Sequence, residues 1–333
     1  MQGILLSVII PYYNETPEEI FPLLASLNSQ VGVDFPRIEC ILVNDGNHNI
    51  LPGAFLDIFK NLALRCIFTD ENRGPGMARQ TGLDAALGEY VMFCDADDLL
   101  HNVLVIESFI REVEQYHPEV IVSTWLMEIY DKAKGKFEYA IRDNEFTWMH
   151  GKAFNKAFLE LKKIRFHEDL RVHEDAYFLR LVTVHATNVR KLALTSYVWK
   201  YRPISITRIN EAAYTFNSMP AFAKSIGYAC AQIEKHFPGQ IRNIVLQTVM
   251  IFYFYTHQRC WLASEKTDLL RQAEESFSDM IKPYMRHYED APARLIASMY
   301  NEERARSFIG EVETETLTDW LKRVTDRRIS NRK

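Results

Sequence analysis

The stretch VMFCDADD, residues 91–98, is the most informative part of this sequence, because four apolar residues run directly into three carboxylates within four positions. Such a run is typical of a buried strand that carries acidic side chains to the edge of a sheet. Carboxylates held this close repel one another, and a hard divalent cation with oxygen ligands is the usual counter-charge. An acidic first turn of a helix would give the same pattern, since Asp is favoured there. The surrounding segments separate the two interpretations.

Outward from this stretch, strand-like and helix-like segments alternate through the first half of the chain. Apolar patterning predicts strands over residues 5–10, 37–43, 64–69 and 90–94, and helices over residues 16–29, 55–62 and 76–87. Thr16 followed by Pro17 and two glutamates is typical of a helix N-terminus. Strands separated by helices predict βαβ units, an α/β fold with a mainly parallel sheet and flanking helices.

Three of the predicted strands end in polar clusters, which are YYNE at 12–15, NDG at 44–46 and DAD at 95–97. In parallel α/β sheets, ligands bind beyond the carboxyl ends of the strands. We therefore expect the three clusters to meet in one cleft. This convergence favours a ligand site over an isolated acidic helix turn.

The composition excludes several classes of protein. With 333 residues, 47% hydrophobic and 25% charged, the chain is an ordinary globular protein of one large domain or two. A net charge of -5 argues against a general nucleic-acid binder. Five cysteines without a CxxC pair predict buried thiols in a reducing compartment. The absence of a basic leader and of a long apolar helix predicts a cytoplasmic protein without a transmembrane segment.

After about residue 210 the apolar spacing becomes helical, with little β-character. The pattern predicts helices over residues 211–236, 239–259, 264–284, 292–308 and 313–325. We therefore expect two domains, residues 1–210 and an α-helical domain of residues 211–333. The aromatic run at residues 252–255 is interpreted as helix core rather than as a cofactor site, with a dimer surface as the alternative.

Six segments of the first two thirds of the chain are specific when taken together and in order. They are SVIIPYYNE at 7–15, ILVNDGN at 41–47, ENRGPGMARQTGLDAALGEYVMFCDADD at 71–98, HGKAF at 150–154, IRFHEDLRVHEDAYF at 164–178 and YRPISITR at 201–208. Through them, residues 5 to about 208 resemble the family 2 glycosyltransferases, which have the GT-A fold. The resemblance implies an inverting enzyme that uses a nucleotide-sugar donor, most often a UDP-sugar, and a divalent metal, Mn²⁺ or Mg²⁺.

The resemblance also assigns side chains to the nucleotide sugar. Asp45 would hold the base, and a carboxylate can indeed accept the imide N–H of uracil. Arg79, one turn into the helix after a glycine-bearing loop, would contact the nucleotide or brace the acidic motif. Taken alone, Asp45 would fit a turn-forming Asn-Asp-Gly equally well, and Arg79 would be better interpreted as a surface arginine on an amphipathic helix. The full set is Pro11, Tyr13, Glu15, Asp45, Arg79, Asp95, Ala96, Arg202 and Ser205.

Asp95, Ala96 and Asp97 form a DXD motif. The resemblance makes Asp97 the principal metal ligand, with Asp95 binding directly, through water, or to the ribose. A metal that bridges the diphosphate neutralises the charge that develops on leaving UDP. Arg202 and Ser205, with Arg208 assisting, resemble the loop that closes over the diphosphate and excludes water. Without the resemblance this loop would be an ordinary connector between domains.

The general base implied by the resemblance is Asp175, in the segment Glu174-Asp175 that precedes an apolar run. A sugar hydroxyl is a weak nucleophile at neutral pH, and a positioned carboxylate assists its attack on C1. One base and one metal-bound leaving group imply a single displacement with inversion. The alternatives nearby are His167, His173 and the pair Glu168-Asp169.

Two other classes of protein fit these residues less well than a glycosyltransferase does. A nucleotidyltransferase should carry a glycine-rich, basic phosphate loop near its first strand, and residues 7–15 do not. A non-catalytic nucleotide-sugar or glycan-binding module should lack part of the acid set, which is complete here. The expected acceptor is a glycan or cell-surface polymer, with a lipid-linked sugar, a protein side chain or a hydroxylated nucleobase as alternatives. The C-terminal helices are expected to shape the acceptor side or to form a homo-oligomer.

Overall fold

The structure is a computed structural model that describes residues 3–47, 50–143, 146–203, 211–257, 267–306 and 315–326. It divides into two compact units, Met1–Pro203 and Ile204–Lys333. The predicted border at residue 210 lies outside the described residues, and the two domains with their separate roles stay a prediction. Within the described ranges, none of the helices is both long and apolar enough to cross a membrane.

In the first unit, nine strands of the described residues form one sheet. The strands are β1 (Leu6–Tyr12), β2 (Ile38–Asn44), β3 (Ala63–Phe68), β4 (Tyr90–Phe93), β5 (Leu99–Leu100), β6 (Val120–Asp131), β7 (Lys136–Arg142), β8 (Lys152–Asn155) and β9 (Val189–Trp199). The helices of this unit are α1 (Pro17–Asn28), α2 (Gly53–Leu56), α3 (Pro75–Ala85), α4 (Val105–Tyr116), α5 (Lys156–Leu161) and α6 (Glu174–His185).

The strand order is β3-β2-β1-β4-β8-β6-β9-β5, and β7 pairs with β6. The neighbours β3, β2, β1 and β4 are all parallel, as the alternation of strands and helices predicts. Beyond β4 the sheet is mixed, because β8 runs antiparallel to both β4 and β6, whereas β9 is parallel to β6. The architecture is therefore α/β with a mixed sheet whose parallel half carries the three polar strand ends.

Helix α1 follows its sequence signals closely. The Thr16 hydroxyl accepts the backbone N–H of Glu19, and the Glu19 carboxylate accepts the backbone N–H of Thr16, which completes a capping box. Its inward face consists of buried aliphatic side chains, namely Ile20, Leu23, Leu24 and Leu27. These side chains belong to the same core as strands β1 and β2.

Helix α2 is shorter than predicted, since it ends at Leu56 rather than near residue 62. The backbone N–H of Asn61 donates to Asn28 Oδ1 over 2.9 Å, and the Asn61 side-chain amide donates to the Asn28 carbonyl over 2.8 Å. These bonds fasten the chain to the end of α1. Phe59 is buried beside Phe55, with their rings edge to face. Phe59 therefore packs into the core without continuing the helix.

The described part of the second unit is helical. Its α-helices are α7 (Glu211–His236), α8 (Ile241–Thr256), α9 (Thr267–Ile281), α10 (Met285–Glu289), α11 (Ala293–Arg306) and α12 (Leu317–Thr325). Phe252, Tyr253 and Phe254 are buried in α8, which confirms their interpretation as helix core. The guanidinium of Arg323 on α12 donates to both carboxylate oxygens of the buried Glu274 on α9, over 2.9 and 2.8 Å.

Candidate active site

The carboxyl ends of β2, β1 and β4 lie side by side, because these strands are neighbours and run parallel. Tyr12 is in register with Asn44, and Ile9 with Phe93. The three polar clusters therefore follow strand ends on one edge of the sheet, as expected for an α/β ligand site. This edge is the candidate site.

Arg79 on α3 joins two acidic segments at this edge. Its Nη2 donates to Asp95 Oδ1 over 2.6 Å, and its Nη1 donates to Glu174 Oε1 over 2.8 Å. Burial alone would raise the pKa of Asp95, but the charge of Arg79, assisted by His150, holds it below its ordinary value. Of the two contacts predicted for Arg79, the structure contains the one that braces the acidic motif.

Two glycines allow α3 to lie this close to its neighbours. A Cβ at Gly82 would lie 2.3 Å from Ile9 Cγ2, and a Cβ at Gly76 would lie 2.7 Å from Glu174 Cγ. Contacts this short exclude a side chain at either position unless the neighbours shift. Gly76, in the first turn of α3, thus makes room for Glu174 and for its ion pair with Arg79.

Asp97 pairs with Arg202, the residue predicted to bind the diphosphate. Arg202 Nη1 donates to Asp97 Oδ2 over 2.9 Å and lies 3.4 Å from Glu15 Oε1, and its Nη2 donates to Glu19 Oε1 over 2.5 Å. Burial, followed by repulsion from Asp95, raises the pKa of Asp97 despite the Arg202 contact. One guanidinium thus faces three carboxylates, a local excess of negative charge that a further cation would offset.

Asp98, the third acid of the motif, has a structural position that sequence reasoning missed. Its side chain is fully buried, and it accepts the Tyr197 hydroxyl at 2.7 Å and the backbone N–H of Lys200 at 2.8 Å. The same hydroxyl accepts the backbone N–H of Asp95 at 2.9 Å. Burial, followed by repulsion from the neighbouring carboxylates, raises the pKa of Asp98 well above its ordinary value. Asp98 therefore ties the end of β4 to the end of β9.

The donor chemistry of the edge fits the predicted metal in part. Asp95, Asp98 and His150 offer ligand atoms within 4.8 Å of one another, and Asp97 lies outside this group, with its carboxylate paired to Arg202. Carboxylate oxygens suit Mg²⁺ and Mn²⁺, whereas imidazole more often binds other transition metals. The side chains of Asp95 and Asp97 are 32% and 23% exposed. These two accessible carboxylates fit Mn²⁺ or Mg²⁺ better than the buried Asp98.

Asp45 follows β2 and is buried. Its Oδ1 accepts the backbone N–H of Arg73 at 3.0 Å, and its Oδ2 accepts that of Gly74 at 2.8 Å. At Gly46 a Cβ would lie 2.1 Å from the carbonyl carbon of Glu71, so these two loops touch. Asp45 therefore braces the loop that leads into α3. Each carboxylate oxygen has a second lone pair, and the reading of a base by Asp45 stays a prediction.

Glu174 and Asp175 are the first two residues of α6, where the helix dipole favours acids. Burial, reinforced by Asp175, raises the pKa of Glu174 to about 7. Burial also raises the pKa of the half-buried Asp175, although the charge of Arg79 opposes this. The predicted base, Asp175, thus follows directly after Glu174, and Glu174 is linked to Asp95 through the guanidinium of Arg79.

The alternative acid pair, Glu168 and Asp169, is exposed. Glu168 Oε2 lies 3.6 Å from Arg73 Nη2 in a surface ion pair. By contrast, Glu174 of the pair 174–175 is joined through the buried side chain of Arg79 to Asp95 of the acid motif.

The remaining predicted nucleotide-binding residues occupy varied positions. Pro11 is buried in β1, in register with Val43. Tyr13 is 40% exposed, and its backbone N–H donates to Glu15 Oε2 over 2.8 Å. Ala96 is buried between the two acids of the motif. The two other predicted loop residues, Ser205 and Arg208, lie outside the described residues.

Residues 7–171 match a family model described as glycosyl transferase family 2. The chain contains a family 2 glycosyltransferase domain. The match includes the strand-end acids and Arg79, and it stops just before Glu174 and Asp175. The predicted family is confirmed.

The glycosyltransferase domain also occurs in curated bacterial relatives. Glycosyltransferase GlyA of Streptococcus pneumoniae serotype 4 is 26% identical in an alignment of 260 residues that covers 69% of this chain and 36% of GlyA. A teichoic acid poly(glycerol phosphate) polymerase of Staphylococcus epidermidis is 29% identical in an alignment of 187 residues that covers 52% of this chain and 25% of the polymerase. The chain thus spans well under half the length of these two relatives.

Solved structures resemble the chain over nearly its whole length. The crystal structure of S. aureus TarS 1–349 with UDP-GlcNAc has a TM-score of 0.68 at 19% identity, covering 97% of this chain and 91% of that one. The mannosyltransferase PcManGT from Pyrobaculum calidifontis, with GDP-Man and Mn²⁺, has a TM-score of 0.52 at 16% identity, covering 98% and 89%. At these identities the likeness establishes the fold. The predicted GT-A fold of the glycosyltransferase domain, with a helical C-terminal part, is confirmed.

Proposed function

We propose that this chain is an inverting, metal-dependent glycosyltransferase that moves a sugar from a UDP-sugar to a hydroxyl group of a glycan or cell-surface polymer. The observation that carries the proposal is the bridge from Asp95 through Arg79 to Glu174. It brings the acid motif at the end of β4 next to the segment that contains Asp175. TarS binds UDP-GlcNAc, and a teichoic acid polymerase is a relative, which supports the donor and the acceptor class.

The donor would lie across the ends of β1 and β2. Asp45 would accept an N–H of the base, with Pro11, Tyr13 and Glu15 bordering the nucleoside. Arg202 now pairs with acids on two segments. A guanidinium binds phosphate oxygens as readily as carboxylates. We therefore propose that Arg202 exchanges Asp97 for the diphosphate when the donor binds, and that Ser205 is a second ligand of the diphosphate.

Asp95 and Asp97 would hold Mn²⁺ or Mg²⁺ beside that diphosphate. When bound, such an ion neutralises the negative charge that develops on the departing diphosphate. The raised pKa of Asp97, caused by burial and then by repulsion from Asp95, supports a site that lacks a positive charge. PcManGT is solved with Mn²⁺, which supports the class of metal.

Asp175 would act as the general base. Its carboxylate takes the proton of the acceptor hydroxyl while that oxygen forms a bond to C1 of the sugar. The bond from C1 to the diphosphate oxygen breaks in the same step, and its electron pair leaves with UDP. Because burial raises the pKa of Asp175, the carboxylate is a stronger base than an exposed aspartate. A single displacement inverts the anomeric carbon.

The donor site is tested by calorimetric titration of UDP with Mn²⁺, Mg²⁺ or chelator, followed by a hydrolysis screen over UDP- and GDP-sugars. We expect UDP to need the cation and Asp97→Ala to bind it much more weakly. Asp84→Asn is the matched control, because Asp84 forms an exposed ion pair with Arg165. Equal UDP affinity in chelator would contradict the metal role, and a protein that binds no nucleotide would contradict the donor.

The chemistry is tested with Asp175→Asn, which keeps the shape of the side chain and removes its basicity. Transfer should fall by roughly a hundredfold or more while UDP affinity survives. The acceptor panel should contain glycans, wall polymers, lipid-linked sugars, a protein and a hydroxylated nucleobase. NMR of the product should show the anomeric configuration opposite to that of the donor. Retention of configuration, or near wild-type transfer by Asp175→Asn, would overturn the assignment.

A further inference from the structure

We propose that the β6–β7 hairpin is the surface on which the acceptor lies, and that this acceptor is an extended, neutral glycan rather than a single sugar. The inference rests on the proposed function and assigns a substrate class to the acceptor side of the same site. It is carried by side chains of the hairpin that have no part in the donor site.

One face of β7 presents large apolar side chains to solvent. Phe137, Tyr139 and Ile141 are 52%, 54% and 69% exposed. They alternate along the strand, so all three point to the same face, and they form a line about 14 Å long. Exposed apolar residues in a row, rather than scattered singly, mark an interaction surface.

The hairpin reaches past the strand-end edge that carries the acid motif. β8 lies between β4 and β6, where it pairs with residues 120–122 of β6. Farther along β6, residues 125–131 pair with β7, which lies on the side of β6 opposite to β9 and therefore on the same side as β8. β4 is parallel to β6 and ends at Phe93. β7 thus extends beyond the carboxyl end of β4, on the edge where the candidate site lies.

A direct contact joins the hairpin to that site. The ring centroid of Tyr201 lies 5.9 Å from that of Tyr130 and 6.1 Å from that of Phe137. The backbone N–H of Tyr201 donates to Glu128 Oε2 over 3.0 Å. The next residue in the chain, Arg202, is the one that pairs with the DXD motif. The aromatic face of the hairpin is therefore continuous with the donor side.

The chemistry of this face suits sugar rings. Aromatic rings carry partial negative charge on their faces, which attracts the C–H groups on the apolar face of a sugar ring. Tyr139 adds a polar edge, since its hydroxyl donates to Glu128 Oε1 over 2.8 Å. No described strand pairs along the outer edge of β7, so its backbone N–H and C=O groups are available to sugar hydroxyls.

The charges of the hairpin favour a neutral ligand. Lys134 Nζ lies 3.0 Å from Asp131 Oδ2 and 2.8 Å from Glu138 Oε1, and Lys136 Nζ lies 3.6 Å from the same Glu138 oxygen. Two basic groups of the hairpin, Lys134 and Lys136, are thus already paired with acids. A polyanion would have to displace these acids, whereas a neutral glycan would not.

The test is calorimetric or NMR titration of the full chain, without donor, with cellohexaose, chitohexaose, maltohexaose and the matching disaccharides. We expect one hexaose to bind at least about tenfold more tightly than its disaccharide. Tyr139→Ala and Phe137→Ala should each weaken that binding by about tenfold. Phe21→Ala is the control, because Phe21 is 44% exposed on α1, outside the hairpin. Thermal melts should show that every variant remains folded, with modest losses because each ring also contacts a neighbour: Tyr201 for Phe137, Glu128 for Tyr139 and Phe59 for Phe21.

Three outcomes would overturn the inference. They are no binding by any hexaose, hexaose affinity unchanged in both hairpin variants, and binding only to a charged polymer such as poly(glycerol phosphate). UDP titrations on the same samples keep this result separate from the proposed function. A hexaose that depends on Tyr139 supports the hairpin surface even if UDP fails to bind, and that failure would count against the donor assignment alone.

Discussion

Arg79 Nη1 lies 2.8 Å from Glu174 Oε1, so helices whose paired residues are 95 positions apart in sequence share one buried ion pair. Burying two charges costs desolvation energy that their attraction only partly repays. The presence of the pair is therefore weak evidence that it stabilises the fold. Its main effect is to position side chains, because the same guanidinium also binds Asp95. Arg79 thus links Asp95, which is proposed to bind the metal, to Glu174, the neighbour in sequence of the proposed base Asp175.

Arg79→Met should destabilise the protein by about 3 kcal/mol, because it leaves Asp95 and Glu174 near each other without their counter-charge. Chemical denaturation measures the change. Arg73→Met is the matched control, since Arg73 forms an exposed ion pair with Glu168 at 3.6 Å and should cost less than about 0.5 kcal/mol. An equal loss of unfolding free energy in the two variants would show that the buried bridge contributes no more to stability than a surface ion pair.

Stability should depend on pH through Glu174. Burial raises its pKa from the ordinary 4.5 to about 7, so the folded chain binds this proton more tightly than the unfolded chain. The contribution of Glu174 to stability is therefore fully present below pH 4.5 and is lost as the pH rises to about 7. Denaturation between pH 5 and 8 should show a shallower fall for Glu174→Gln than for the wild type. Parallel curves would contradict the raised pKa.

Gly76→Ala should separate α3 from the start of α6. The added Cβ would lie 2.7 Å from Glu174 Cγ, so the glutamate has to move away from Arg79. We expect a loss of about 1–3 kcal/mol although Ala is the better helix former. Gly239→Ala is the control, since a Cβ there meets nothing within 4 Å. A stable Gly76→Ala protein with normal pH dependence would show that the contact is easily relieved.

Asp45→Asn should loosen the loop that enters α3. The carboxylate accepts two backbone N–H groups, from Arg73 and Gly74, and an amide can replace only one of its oxygens. Hydrogen exchange at these two amides should accelerate, and UDP should bind more weakly with little change in turnover at saturating donor. Asp57→Asn, at an exposed position after α2, should change neither. A defect confined to turnover would contradict the donor-side role.

The elements that sequence predicts well are those with strong local signals. Strand β1 ends in the polar cluster that begins at Tyr12, and α1 starts at the predicted Thr16 cap with its reciprocal Glu19 bond. The convergence of strand ends follows from topology, because parallel neighbours must end on one edge. These features follow from local sequence signals and from the parallel order of the strands, so they can be predicted from the sequence.

The partners of long side chains are harder to predict. Arg79 was expected to contact the nucleotide or to brace the acidic motif, and Arg202 to contact the diphosphate, and in the structure each pairs with acids. A flexible cation can reach several partners, and only the packing around it selects one. Asp98 shows the same limit, since nothing in the local sequence separates this fully buried acid from Asp95 and Asp97, which are partly exposed. The mixed half of the sheet also depends on long-range pairing that βαβ alternation does not encode.

The first compact unit ends at Pro203, one residue after Arg202. A chemist who prepares this unit alone therefore creates a new terminal carboxylate, ionised at neutral pH, almost beside the guanidinium. Three acids already share that guanidinium. A fourth would compete with any phosphate ligand, so weak nucleotide binding by the isolated unit would report the cut rather than the enzyme. Amidating the terminus would remove this artefact and allow a fair comparison with the full chain.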